Sequence, residues 1–268
     1  MRTIVMRLSV VAALLAPLAM AGVSAGPAEA AVTPGTICAT NSGSIVLSPG
    51  LETAAQVQNI VIKGSLSGCT GSTVTSATYV AHLKTTKPAD CATLASGSPA
   101  TGTVVIKWGP KGQGNSHGTI TLPLTTTPGA RMTGQIGSGP LQGLGFYGTT
   151  SQAFTGTCGV PPTGAKKAKK VKNGTFTGSE LRVSAPPTAA IESPADGGTY
   201  AHNASITTEF SCAESTFGAG IESCDDSNGA SGGSGTLETA TVGPHTYSVT
   251  ATSIDGQTGK TTIHYTVE

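Results

Sequence analysis

The sequence predicts an all-β protein in two parts. Residues 31–184 read as a β-sandwich or barrel of about eight strands, and residues 185–268 as a smaller β-rich segment. Three observations predict this. Short runs of alternating apolar and polar residues, closed by Gly, Pro or Ser, recur along the chain after residue 31. Thr, Val, Ser and Gly dominate there, and few stretches carry apolar residues at helical spacing. The charge changes sign once, near Pro186-Pro187, a pair that reads as a linker because proline stiffens the chain and cannot continue a central strand. Residues 31–184 hold twelve Lys and Arg against three acids, a net of +9, whereas residues 185–268 hold one Lys against ten acids, a net of −9. The overall charge of +1 therefore hides two opposed fields, which either attract each other or face different partners. With 37% hydrophobic and only 11% charged residues the chain is not intrinsically disordered, and 4% aromatics argue against a platform that stacks nucleic-acid bases.

The first element is an export signal. Arg2 and Arg7 precede an apolar run from Leu8 to Met20, followed by small residues at Val23-Ser24-Ala25 and Ala28-Glu29-Ala30. That order reads as a secretory signal peptide over residues 1–30, and the run is too short and too interrupted by Pro17 for a retained anchor. No later stretch approaches 18 apolar residues, so no transmembrane segment is expected after signal cleavage. Cys38 stands well past the apolar run and the C-terminus is not hydrophobic, so no lipid or covalent anchor is expected. The expected location is secreted, extracellular or non-covalently associated with the cell wall.

Six cysteines suit that compartment. An even number without any Cys-x-x-Cys reads as three disulfides rather than a metal site. Cys212 and Cys224 would close a short loop worth ~3 kcal/mol in the chain-entropy view. Cys38, Cys69, Cys91 and Cys158 allow three pairings. The preferred one is Cys38–Cys69 with Cys91–Cys158, the first pair flanking a hairpin centred near Pro49-Gly50.

Strands are expected at 44–47, 57–66, 77–83, 103–108, 119–124, 131–136, 144–154 and 174–183, each bounded by turn residues. Cys38, Leu47-Ser48-Pro49-Gly50-Leu51, Gly64-Ser65-Leu66-Ser67-Gly68-Cys69, Gly102–Trp108 and Gly137–Gly143 together resemble a group of small exported actinobacterial β-proteins of unknown function. That resemblance covers residues 38–183 and brings no catalytic residues with it. Further on, Ile206, Thr208, Phe210 and Cys212 share one strand face, as do Tyr247, Val249 and Ala251, and then Ile263, Tyr265 and Val267. The Ser193-Pro194 start, the short Cys212-to-Cys224 loop and the strand Val242-Gly243-Pro244-His245-Thr246-Tyr247-Ser248-Val249-Thr250-Ala251 resemble bacterial immunoglobulin-like modules of the hyalin-repeat type. The resemblance implies an immunoglobulin-like β-sandwich serving as a spacer or adhesion unit. Its usual Asp-x-x-Gly-Asn turn is altered here to Ser253-Ile254-Asp255-Gly256-Gln257.

Few residues are placed for bond-breaking chemistry. Gly114-Asn115-Ser116-His117-Gly118 fits the nucleophile-elbow pattern, which needs its Ser on a strained turn from strand into helix. The pattern recurs at Gly22–Gly26 and Gly229–Gly233 and no helix follows Gly118, so a hairpin loop is expected. Two-carboxylate hydrolysis would have to draw on Glu52, Asp90 and Glu180. His82 and His117 are candidate bases. Glu222, Asp225, Asp226 and Asn228 offer oxygen ligands for Ca²⁺ without EF-hand spacing, so a solvated acidic loop is expected there. No catalytic residue, metal or cofactor is assigned.

The strongest local signal is Lys166, Lys167, Lys169, Lys170 and Lys172, five cations within seven residues. Such a run attracts polyanions, or is a loop held open by self-repulsion. Outside a cell the polyanions are wall glycopolymers, anionic lipid surfaces or released DNA. Base-reading residues are missing, so no specific nucleic-acid partner is expected. The expectation is a secreted, non-enzymatic, surface-associated binding or adhesion protein whose basic part contacts an anionic cell-envelope polymer or another surface component. A secreted hydrolase with an immunoglobulin-like spacer, and a small-ligand carrier with a hollow barrel, are the competing readings.

Overall fold

The computed structural model describes residues 35–156 and 170–268. The expected signal peptide, Cys158, Lys166, Lys167 and Lys169 lie outside the described residues.

The first part is a closed barrel. Its staves are β1 (Gly35–Leu51), β2 (Asn59–Thr70), β3 (Ser76–Thr85), β4 (Ala100–Gly109), β5 (Asn115–Thr121), β6 (Ala130–Ser138), β7 (Gly145–Thr155) and β8 (Val171–Gly178). Each pairs antiparallel with the next, and β8 returns to pair with β1. Closure leaves no open sheet edge and decides between the two expected architectures. The stave expected over 174–183 is broken at Ser179-Glu180. Beyond the break, β9 (Leu181–Ser184) takes over between β7 and β1, pairing with Gly145–Gly148 and Gly35–Cys38. A short helix, α1 (Thr93–Ser96), packs Leu94 at the end of the barrel where β3 finishes.

Alternation explains the core. On β3, Ala77, Tyr79, Ala81 and Leu83 point inward while Thr78, Val80, His82 and Lys84 face solvent. The lumen is filled by large residues set against glycines. Tyr79 stands opposite Gly64, Phe146 opposite Gly134, Phe154 opposite Gly174 and Phe176 opposite Gly43, each a direct cross-strand pair. A Cβ on Gly64 would fall 2.2 Å from the Tyr79 ring, so the aromatic occupies the space a side chain would need. This pairing is how a chain with 37 glycines and few aromatics fills a barrel. Two voids among its inward-facing side chains hold about 10 Å³ each, space for a single water. At the centre the Tyr79 hydroxyl donates to Asn41 Oδ1 at 2.8 Å. Burial pushes that phenol far above its ordinary range, and the Asn41 bond pulls weakly the other way.

The second part holds seven strands in two sheets around one core of Phe210, Leu237, Tyr247, Val249, Ile263, Tyr265 and Val267. The three-stranded sheet is β10 (Thr188–Ser193), β12 (Thr207–Ala213) and β14 (Ser234–Thr236), in that order. The four-stranded sheet runs β11 (Gly198–Tyr200), β16 (Thr258–Val267), β15 (Gly243–Ser253) and β13 (Ile221–Asp226). The Cys212–Cys224 disulfide joins β12 to β13 and so ties one sheet to the other. In the barrel, Cys38 and Cys69 face each other across β1 and β2 and are disulfide-bonded. Cys91 is also in a disulfide, and its expected partner lies outside the described residues.

Thr33–Glu268 form one compact unit, and the Pro186-Pro187 crossing is packed rather than a free linker. Pro187 is buried, with its carbonyl against Gly259. Phe217, on the loop closed by the Cys212–Cys224 disulfide, lies over Gly35 and Gly71 of the barrel. Arg182 donates to the Gly218 carbonyl at 3.0 Å, and the Ser215 hydroxyl to the Ala185 carbonyl at 2.9 Å. Gln257 donates to the Ser184 carbonyl and fills the space over Gly145. Among the described residues no helix is long and apolar enough to cross a membrane.

Candidate anion-binding surface

The lysine run reaches the barrel at the end where β8 begins. Of its five cations the structure places two. Lys172 is exposed on β8, while Lys170 Nζ lies 2.7 Å from Glu52 Oε1 and is neutralised by that carboxylate.

A second basic region emerges only in three dimensions. None of the strands β1 to β9 contains an Asp or Glu. The three acids of this half lie in connections, and each is engaged. Glu52 pairs with Lys170 and accepts from Gln56; Asp90 accepts the Thr93 amide at 2.9 Å; Glu180 pairs with Arg182. Outward positions of successive strands instead carry Lys63 on β2, His82 and Lys84 on β3, Lys107 on β4 and His117 on β5, all exposed. Among the described residues, none of Lys63, Lys84 and Lys107 has a carboxylate within ion-pair distance.

The register orders this face into rows. Lys63 lies beside Val80, Val80 beside Val105 and Val105 beside His117. One row along, Ser65, Thr78, Lys107 and Asn115 are neighbours on β2 to β5. Between the rows runs an open groove of about 590 Å³, with Lys63 and Lys107 on its walls. Along the groove Gly43 and Gly64 are directly paired, and the ring of Tyr79 lies close against Gly64. Val80 and Val105 are 37% and 38% exposed, which makes a small apolar floor rather than a broad hydrophobic patch.

The negative half does not neutralise this face. Across the seam, among the described residues, one ion pair forms, Arg131–Glu222 at 3.9 Å, with both side chains more than half exposed. Exposed pairs of that kind contribute about 0–1 kcal/mol.

The other candidate groups have structural partners. Ser116 belongs to β5 and not to a hairpin loop. It is fully buried, accepts from Trp108 Nε1 at 2.8 Å and donates to the Pro140 carbonyl. His117 points the opposite way, into solvent. Asp226 departs from the expected solvated loop. It is buried, accepts the Asn228 and Ala230 amides through Oδ1, and accepts the Tyr247 hydroxyl at 3.0 Å through Oδ2. Burial, reinforced by the hydrogen bond and charge of Asp226, pushes the Tyr247 phenol up to about 12. Asp225 stays exposed, and among the described residues no three His, Cys, Asp or Glu side chains are grouped to hold a metal ion.

Sequence reasoning passed over Lys63, Lys84 and Lys107 because about twenty residues separate each from the next. Two signals were present: Lys63 and Lys107 sit at outward positions of expected strands, and seven of the eight expected strands contain no acid, Glu180 falling within the expected 174–183. No protein-family model matches this chain, and no curated protein matches it.

Proposed function

We propose that this is an exported, non-enzymatic binding protein that acts at the cell surface, its barrel resting on anionic envelope polymer. One observation carries the reading: a barrel whose strands contain no acid presents three lysines along one outer face that, among the described residues, have no ion-pair partner. The lysine run at the barrel end adds to the same field. The engagement of Glu52, Asp90 and Glu180 by structural partners supports binding rather than hydrolysis. A lumen filled by paired aromatics and glycines supports a surface role over a carrier role. The seven strands, split three and four with a disulfide between the sheets, support reading residues 185–268 as an immunoglobulin-like spacer or adhesion unit.

The test is co-sedimentation of the mature protein with purified cell-wall material at rising salt. The protein is expected to bind at about 50 mM NaCl and to be released by about 500 mM, as screening shortens the reach of its lysines. Binding that ignores salt, or no binding at low salt, overturns the reading.

A further inference from the structure

We propose that the groove between Lys63 and Lys107 is a binding site for an acidic polysaccharide. This rests on the polyanion reading above and narrows it to one site and one ligand class. The two cations stand two strands and two residues apart, about 12 Å at ordinary sheet spacings. Between them the groove offers no further charge. Ser65, Thr78 and Asn115 provide hydroxyl and amide groups that both donate and accept. Val80 and Val105 provide an apolar floor. A chain of sugar rings matches this sequence of surfaces. Each ring has hydroxyls at its edge and C–H groups on its face, and anionic groups on alternate rings fall about one lysine spacing apart.

The same surface suits other polyanions poorly. Single-stranded nucleic acid is held by aromatic faces on which its bases stack. The one aromatic at this groove, Tyr79, is 5% exposed, and its hydroxyl is turned inward to Asn41. An anionic lipid surface would reward a larger apolar patch than two valines about one-third exposed.

The experiment is calorimetric titration of the full mature protein with a hyaluronan decasaccharide, which carries a carboxylate on alternate rings. Neutral dextran and a thymidine decanucleotide serve as comparison probes. Wild type is expected to bind the decasaccharide and not dextran. Lys63→Ser/Lys107→Ser is expected to weaken that binding at least about tenfold. Thr78→Glu, which puts a carboxylate into the groove and keeps both lysines, is expected to do the same. Replacing Lys166, Lys167, Lys169, Lys170 and Lys172 with Ser, which lowers the surrounding field and keeps the groove, is expected to weaken it by less than either groove variant does, about fivefold at most. Loss in the lysine-run variant with retention in both groove variants overturns the site while leaving the polyanion reading intact. Tighter binding of the oligonucleotide than of the decasaccharide overturns the ligand class. Absence of salt-sensitive binding to wall material as well as to the decasaccharide overturns the polyanion reading itself.

Discussion

In the barrel every stave has a hydrogen-bonded neighbour on each side, because β8 closes onto β1. In the second half four strands, β10, β14, β11 and β13, end their sheets instead of closing on one another, and the two sheets are held by their shared core and by Cys212–Cys224. The charges follow this difference. Glu192 on β10 places an exposed carboxylate on a sheet edge, where it discourages strand addition by another chain. The barrel has no edge to guard, so its strand charges are free to be of one sign.

Three changes test this contrast. Cys212→Ser/Cys224→Ser removes the tie between open sheets and is expected to destabilise the second half by about 3 kcal/mol. Trp108, the one tryptophan, reports on the barrel alone, so its fluorescence midpoint in urea should move far less than the tyrosine near-ultraviolet signal. Equal shifts of both signals would show that the halves unfold as one. Gly134→Ala makes the converse test. The added Cβ would meet the Phe146 ring at 2.2 Å and the Thr119 carbonyl at 2.1 Å. It is expected to cost about 2 kcal/mol, read by Trp108 fluorescence.

Tyr247→Phe has the smallest effect, about 1 kcal/mol at neutral pH, because the buried Asp226 loses one donor. It also removes a pH dependence. The folded state keeps the Tyr247 proton up to about pH 12, whereas an unfolded phenol releases it near 10. This contribution is complete below about pH 10 and is lost as pH rises toward 12. Urea midpoints across that range should fall more steeply for wild type than for the variant.

Much of this architecture was legible in the chain. Eight alternating runs matched the eight staves because burial on one face imposes a period of two. The Cys212–Cys224 pair was expected from its short spacing, and Cys38–Cys69 was the preferred of three open pairings. Closure was not legible, since alternation is the same whether or not the first and last strands meet, and Asn41 pairs with Gly178 only through the whole intervening fold. The break at Ser179-Glu180 was missed because the apolar alternation resumes at once in Leu181 and Val183. The Asp225-Asp226 pair looked solvated because Tyr247, which buries against the second carboxylate, lies 21 residues away. The site was half legible. A contiguous lysine run shows in sequence, whereas a basic face assembled from single lysines on β2, β3 and β4 needs the register to bring them together.

The central claim is that the lysine-bearing face of β2–β5 is where anionic polymer binds. Amide chemical-shift mapping of the labelled mature protein, titrated with an acidic polysaccharide at low salt, tests it most directly. The largest shifts are predicted at outward residues of these strands, around Lys63, Thr78, Val80, Val105 and Lys107, with the second half silent. Shifts confined to residues 157–172, or centred on residues 185–268, would contradict it.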